Sequence, residues 1–149
     1  MFRGEQRLGE ELAAIDREIA GFGEACDTTG IVVCVLDGRI IGASVGDSEA
    51  WLFTGTAPPM ELTARQKHRP RIGSSCWPPV EFEAEFPAGA RFLMGSDGVL
   101  GWSLQRQQVR AIAEAAGSAA ALLDALHAAV LSNYASYPDD FGAVAILRS

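Results

Sequence analysis

The 149-residue sequence has no apolar run approaching the ~20 residues a membrane-spanning helix needs, and its start, Met-Phe-Arg-Gly-Glu-Gln-Arg, is too polar for a secretory signal. These two absences predict a cytoplasmic protein without a membrane partner. Cysteine is scarce. Cys26, Cys34 and Cys76 are odd in number, far apart and in no Cys-x-x-Cys arrangement, so they point to reduced structural thiols rather than to zinc or redox chemistry. Basic residues are outnumbered: 12 Lys and Arg against 19 Asp and Glu give a net charge of −7, which repels a phosphate backbone and argues against nucleic acid as a partner. No internal repeat, low-complexity tract or linker is visible, so residues 1–149 read as one domain.

What is there is a sizeable core and a surplus of carboxylates, the second a suitable background for divalent cations. Leu8, Leu12, Ile15, Ile19 and Phe22 recur at helical spacing between acidic and basic residues, and Gly21 and Gly23 stop that helix. From Ile31, "IVVCVLDGRIIGASVGDSEAWLF" holds two β-branched runs joined by Asp37-Gly38, the dipeptide suited to a type I′ hairpin turn. Residues 54–79, with Pro58-Pro59, Pro78-Pro79 and the basic "RQKHRPR", read as a loop or flap with a short strand at 60–62. Residues 80–86 alternate apolar and acidic, and Pro87-Ala88-Gly89 is expected to turn them back to pair antiparallel with a strand at 91–94. Helices are expected at 104–116 and, capped by Ser118, at 118–134, and a last strand at 141–147.

Asp47, Asp97 and Asp139 each stand where an apolar run meets a turn, with Gly46 before the first and Gly98 after the second. A carboxylate at the mouth of a strand is fixed by the sheet yet meets water, and a neighbouring glycine leaves room for a hydrated ion. Several such acids converging would suit magnesium or manganese. Each acid alone also reads as an Asx-turn or cap.

In order and neighbours these stretches resemble the type 2C metal-dependent serine/threonine protein phosphatases, the PPM family. "DTTGIVVCVLDGRIIGASVGDSEAWLF" is similar to the family's Thr-Thr pair, strand, turn and second strand ending in Gly-Asp-Ser, and "ELTARQKHRPRIGS" to its Leu-Thr segment. "FPAGARFLMGSDGVLGW" is similar to the Pro-x-Gly, strand, Ser-Asp-Gly signature, and "DDFGAVAIL" to the closing motif and final strand. The resemblance implies an α+β fold, two antiparallel sheets sandwiched between helices, of which this chain is the C-terminal two-thirds, truncated at its N-terminal side. It implies metal-dependent dephosphorylation of phosphoserine and phosphothreonine in proteins by metal-activated water at a two-metal centre of Mn2+ or Mg2+. Asp97 and Asp139 would be direct ligands, with Asp140 the alternative in the other register, and Asp47 would hold metal-bound waters or an auxiliary metal. No nucleophilic side chain is needed, in keeping with the lack of a Cys-x5-Arg loop. Arg65, Lys67 and Arg69 lie where the family has a variable flap, as candidate substrate-binding residues or as a solvated loop.

The departures are specific. The family's Asp-Gly-x-Gly-Gly strand, whose Asp bridges both metals, is absent from these 149 residues, and the Arg expected after Gly-Asp-Ser is Glu49. The acid often found three residues after Ser-Asp-Gly is Gly101, and the Asn and Thr of the closing motif are Asp140 and Gly142. Two readings follow: a compact phosphatase acting on a phosphoprotein, or a degenerate, inactive module that binds a phosphoprotein or kinase partner. Sheets lacking their first strands would also have open edges, which predicts a homodimer.

Overall fold

Asp37 and Gly38 adopt φ of 48° and 79°, the paired left-handed conformations of a type I′ turn, and close the hairpin of β1 (Gly30–Leu36) and β2 (Arg39–Val45). The hairpin belongs to a computed structural model that describes residues 8–22, 28–55, 57–66, 71–74, 78–101, 103–134 and 139–149. Cys26, Lys67, His68, Arg69, Cys76, Trp77 and Trp102 lie outside the described residues.

β2 pairs on its other side with β5 (Val80–Glu85), giving a three-stranded antiparallel sheet in the order β1-β2-β5. The second sheet has four strands in the order β4-β3-β6-β7: β3 (Glu49–Phe53), β4 (Met60–Glu61), β6 (Arg91–Gly95) and β7 (Ala143–Leu147). All its pairings are antiparallel.

Alternation along the strands sends successive side chains to opposite faces and so builds three apolar layers. Ile40 and Phe82 from the first sheet meet Ala50, Leu52 and Phe92 from the second. On the outer face of the first sheet, Leu12 of α1 (Leu8–Ala20) packs with Ala43, Val45 and Ile72. On the far face of the second, Phe53 and Leu93 are covered by Val109 and Ala113 of α3 (Arg106–Ala115) and by Leu122, Leu126 and Val130 of α4 (Ala119–Asn133). The result is helix, sheet, sheet, helix, the expected αββα arrangement. Ser118 caps α4 as expected, its side chain accepting from the Ala121 N–H at 3.1 Å. Among the described residues no helix is long and apolar enough to cross a membrane.

The structure corrects two expectations. Residues 31–53 form three strands rather than two, because the chain turns at Gly46, with φ of 105°, and passes to the other sheet as β3. Residues 80–85 and 91–95 do not pair with each other. Among the described residues β5 pairs only with β2, and β6 lies between β3 and β7. Pro87-Ala88-Gly89 carries the chain from one sheet to the other, and period-two alternation reports which face is buried without naming the neighbour.

Gly42 sits opposite Phe82 in the β2–β5 ladder, where a Cβ would run into the Phe82 ring and lie 2.8 Å from the Val32 carbonyl oxygen. The absence of a side chain there lets the ring cross β2 into the inner layer. Gly42→Ala is therefore predicted to cost about 2 kcal/mol by overpacking, a fall in Tm of roughly 4–8 °C for a chain of this size. Thermal unfolding followed by circular dichroism checks this, and an unchanged Tm would contradict it.

Candidate functional site

β6 ends at Gly95, and the chain turns through Ser96 into a single helical turn, α2 (Asp97–Leu100), of which Asp97 is the first residue. Four residues are too few for any periodicity, so this turn has no sequence signal of its own. Ser96 fastens the turn to the segment entering β7. Its N–H donates to the Gly142 carbonyl at 2.9 Å, its hydroxyl donates to the Asp140 carbonyl at 2.8 Å, and the same oxygen accepts from the Gly142 N–H at 3.2 Å.

Gly98 completes the junction. A Cβ on residue 98 would run into the Asp140 carbonyl oxygen and lie 3.2 Å from Asp139 Cβ, so the two segments touch backbone to backbone. Asp97 and Asp139 therefore stand on either side of one chain crossing, the first half-buried and the second exposed. One carboxylate oxygen of each is held locally: Asp97 Oδ1 accepts from Gly98 N–H at 3.0 Å, and Asp139 Oδ1 from Asp140 N–H at 2.8 Å. These Asx contacts fix the carboxylates and leave Oδ2 of each for another partner. β7 begins at Ala143, and Asp140 engages the junction through its backbone carbonyl.

Asp47 lies at the same end of the second sheet. Glu49 pairs with Gly95, so two further residues along each strand lead to Asp47 and Asp97. The adjoining Ser48 shares a 2.7 Å hydrogen bond with Thr29, and its carbonyl accepts from Gln66 Nε2 at 2.5 Å. Thr63, buried in the Leu-Thr segment, accepts from the Ala50 N–H at 3.1 Å. The Thr-Thr, Gly-Asp-Ser and Leu-Thr stretches thus meet around one turn.

Arg65 donates to the Glu81 carbonyl at 3.0 Å and so ties the flap to β5, while Lys67 and Arg69 fall outside the described residues. Glu49 is buried and accepts from the Trp51 indole N–H at 2.7 Å; Arg106 reaches it at 3.8 Å, pairs with Glu61 at 3.1 Å and lies 4.9 Å over the Trp51 ring. Sequence reasoning leaves this group unmarked because its members are scattered over β3, β4 and α3. A cavity of about 310 Å³, lined by Trp51, Phe53, Pro59, Leu100, Val109 and the two arginines Arg106 and Arg110, opens beside it. His127 is exposed on α4 with its ring edge-on to Phe141, a packing contact.

Among the described residues no three His, Cys, Asp or Glu side chains are grouped so as to hold a metal ion. Asp97 and Asp139 are two hard oxygen donors joined by a rigid backbone contact. That set fits one hydrated Mg2+ or Mn2+, which keeps several waters and needs only one or two carboxylates. It falls short of a two-ion centre.

No protein-family model matches the sequence, and no curated protein matches it. Solved structures do. A bacterial serine phosphatase superposes with a TM-score of 0.81 at 14% identity, covering 97% of this chain and 71% of that one. The fold is that of the type 2C serine/threonine phosphatases. Stp1 from Staphylococcus aureus matches at a TM-score of 0.78 and 15% identity, over 97% of this chain and 70% of its own. The catalytic domain of the serine/threonine phosphatase PstP, in complex with two manganese ions, matches at 0.74 and 17%, over 97% and 72%. At these identities the likeness establishes the phosphatase fold alone.

The Gly98 junction generates a test. Gly98→Ala forces the Asp139–Asp140 peptide away and is predicted to destabilise the domain by about 2 kcal/mol. Ser96→Ala, which removes hydrogen bonds without a clash, is predicted to cost about 1 kcal/mol. Urea unfolding that ranked the two in the opposite order would contradict the junction.

Proposed function

We propose that this chain is a metal-dependent phosphatase for phosphoserine and phosphothreonine in proteins, with Asp97 and Asp139 holding a divalent cation. The observation that supports the reading is the Gly98 contact, which brings the turn carrying Asp97 and the Asp139–Asp140 segment together backbone to backbone within a phosphatase fold. The manganese-bound PstP catalytic domain supports it as a structural neighbour.

A bound Mg2+ or Mn2+ supplies Lewis-acid charge and a water acidic enough to ionise near neutral pH. Asp97 and Asp139 would hold the cation, each with one carboxylate oxygen already engaged by the following backbone N–H. Ser96 keeps the two acids at fixed separation by fastening residues 140 and 142 to the end of β6. Asp47 orients water at the same sheet end. Asp139 is exposed, which leaves it open to a phosphorylated segment of another protein.

Asp97→Asn and Asp139→Asn are each predicted to weaken manganese binding at least tenfold and to lower hydrolysis of a phosphoserine peptide by about 10²-fold, the scale of a transition-state electrostatic contact. Calorimetry and phosphate release on the same samples check both. Metal binding without turnover in the folded wild type would instead favour a binding module for phosphoproteins or kinases. Turnover that survives Asp97→Asn would remove the assignment.

A further inference from the structure

A second cavity, of about 780 Å³, lies between the start of α3 and the end of α4, and among the described residues no charged side chain lines it. Ser103, Gln105, Gln107 and Gln108 come from one side of it, Asn133 and Tyr134 from the other. The glutamines and Asn133 each carry an amide, which offers a donor and an acceptor together. The helix ends add groups of both kinds. Gln105, the N-cap of α3, makes no side-chain cap hydrogen bond, so the first N–H groups of that helix are left to outside acceptors. The carbonyls that follow Val130, which receives the Tyr134 N–H, lie past the ladder of α4 and are left to outside donors. Ser103 decides the reading. It is 3% exposed, and among the described residues its hydroxyl has no hydrogen-bond partner. A buried hydroxyl with nothing to bond costs stability, and in the wall of a polar cavity it marks a hydrogen bond that the free chain does not make.

We propose that this cavity takes an uncharged, extended stretch of polypeptide, the part of a substrate protein that flanks its phosphoserine or phosphothreonine. The inference rests on the phosphoprotein reading above and adds where the chain of that substrate is held. Peptide groups alternate donor and acceptor, which is what amide side chains and two helix ends of opposite polarity satisfy. A charged ligand would find no counter-ion among the lining residues. Position favours the same occupant. Ser103 follows Asp97 by six residues and Tyr134 precedes Asp139 by five, so each wall of the cavity lies within roughly 20 Å of one of the two acids. An extended segment of about six residues spans that distance, so a phosphoryl group at the acids brings its flanking residues to the cavity.

Two peptides test this: a phosphoserine peptide with about six uncharged residues on either side, and its unphosphorylated counterpart. Each is titrated into the chain and followed by NMR, with p-nitrophenyl phosphate hydrolysis on the same samples as a readout of the cation site alone. The side-chain amides of Gln107, Gln108 and Asn133 are expected to shift with both peptides. Ser103→Ala removes a hydroxyl that has no partner to lose, so it is expected to keep or raise Tm while weakening both peptides about fivefold, the scale of one hydrogen bond. The Gln108→Ala, Asn133→Ala double variant is expected to weaken them further and to hydrolyse p-nitrophenyl phosphate at the wild-type rate. Shifts confined to residues outside the cavity, or affinities that these variants leave unaltered, overturn the proposal, as does a response to maltose with none to either peptide. Peptide binding in the cavity without hydrolysis upholds the polypeptide site and removes turnover from the reading above; hydrolysis without peptide binding does the reverse.

Discussion

The Asp139–Asp140 peptide occupies the space that a side chain on residue 98 would fill. That backbone contact is what the candidate site depends on, because it lets two acids from distant parts of the sequence share one end of a sheet without any side chain between them. A contact between two carboxylate-bearing segments is repulsive on its own, so the approach needs external support. Ser96 provides it with three hydrogen bonds to residues 140 and 142, each worth about 1 kcal/mol net. The sheet provides more: β6 is paired on both sides over its whole length, so its end cannot drift.

The rest of the molecule extends this rigidity sideways. The turn carrying Asp47 is tied by Thr29 and Gln66 at Ser48, and β3 beyond it is held by Thr63 at the Ala50 N–H. Three stretches that look like catalytic motifs therefore make contacts that are structural in kind. Two apolar layers, one between the sheets and one under α3 and α4, keep the four-stranded sheet fixed from both faces. A cation site made of two carboxylates gains from such fixity, since the ion replaces ordering that the protein has already supplied.

Much of this is readable from residue order. The Asp37-Gly38 hairpin and the Ser118 cap follow from local chemistry, and local chemistry is what a sequence displays directly. The partners of β5 and β6 are not readable in this way, because alternation names a buried face and is silent about neighbours. Pro87-Ala88-Gly89 thus has the composition of a hairpin turn and the role of a crossover between sheets. Asp97 and Asp139 stand out by position, at strand ends beside turn residues. Their adjacency does not, since it rests on the missing side chain of Gly98, and Asp-Gly suits an ordinary Asx-turn equally well. The Glu49, Glu61, Trp51 and Arg106 group is illegible for a different reason: its members interact only once three separate elements are packed.

Electron paramagnetic resonance of Mn2+ titrated into the purified chain measures the central claim, that Asp97 and Asp139 together make one cation site. The account predicts that about one ion per chain is taken up and that the Asp97→Asn, Asp139→Asn double variant takes up none while keeping its fold. Uptake that persists in the folded double variant, or its complete absence in the wild type, would contradict it.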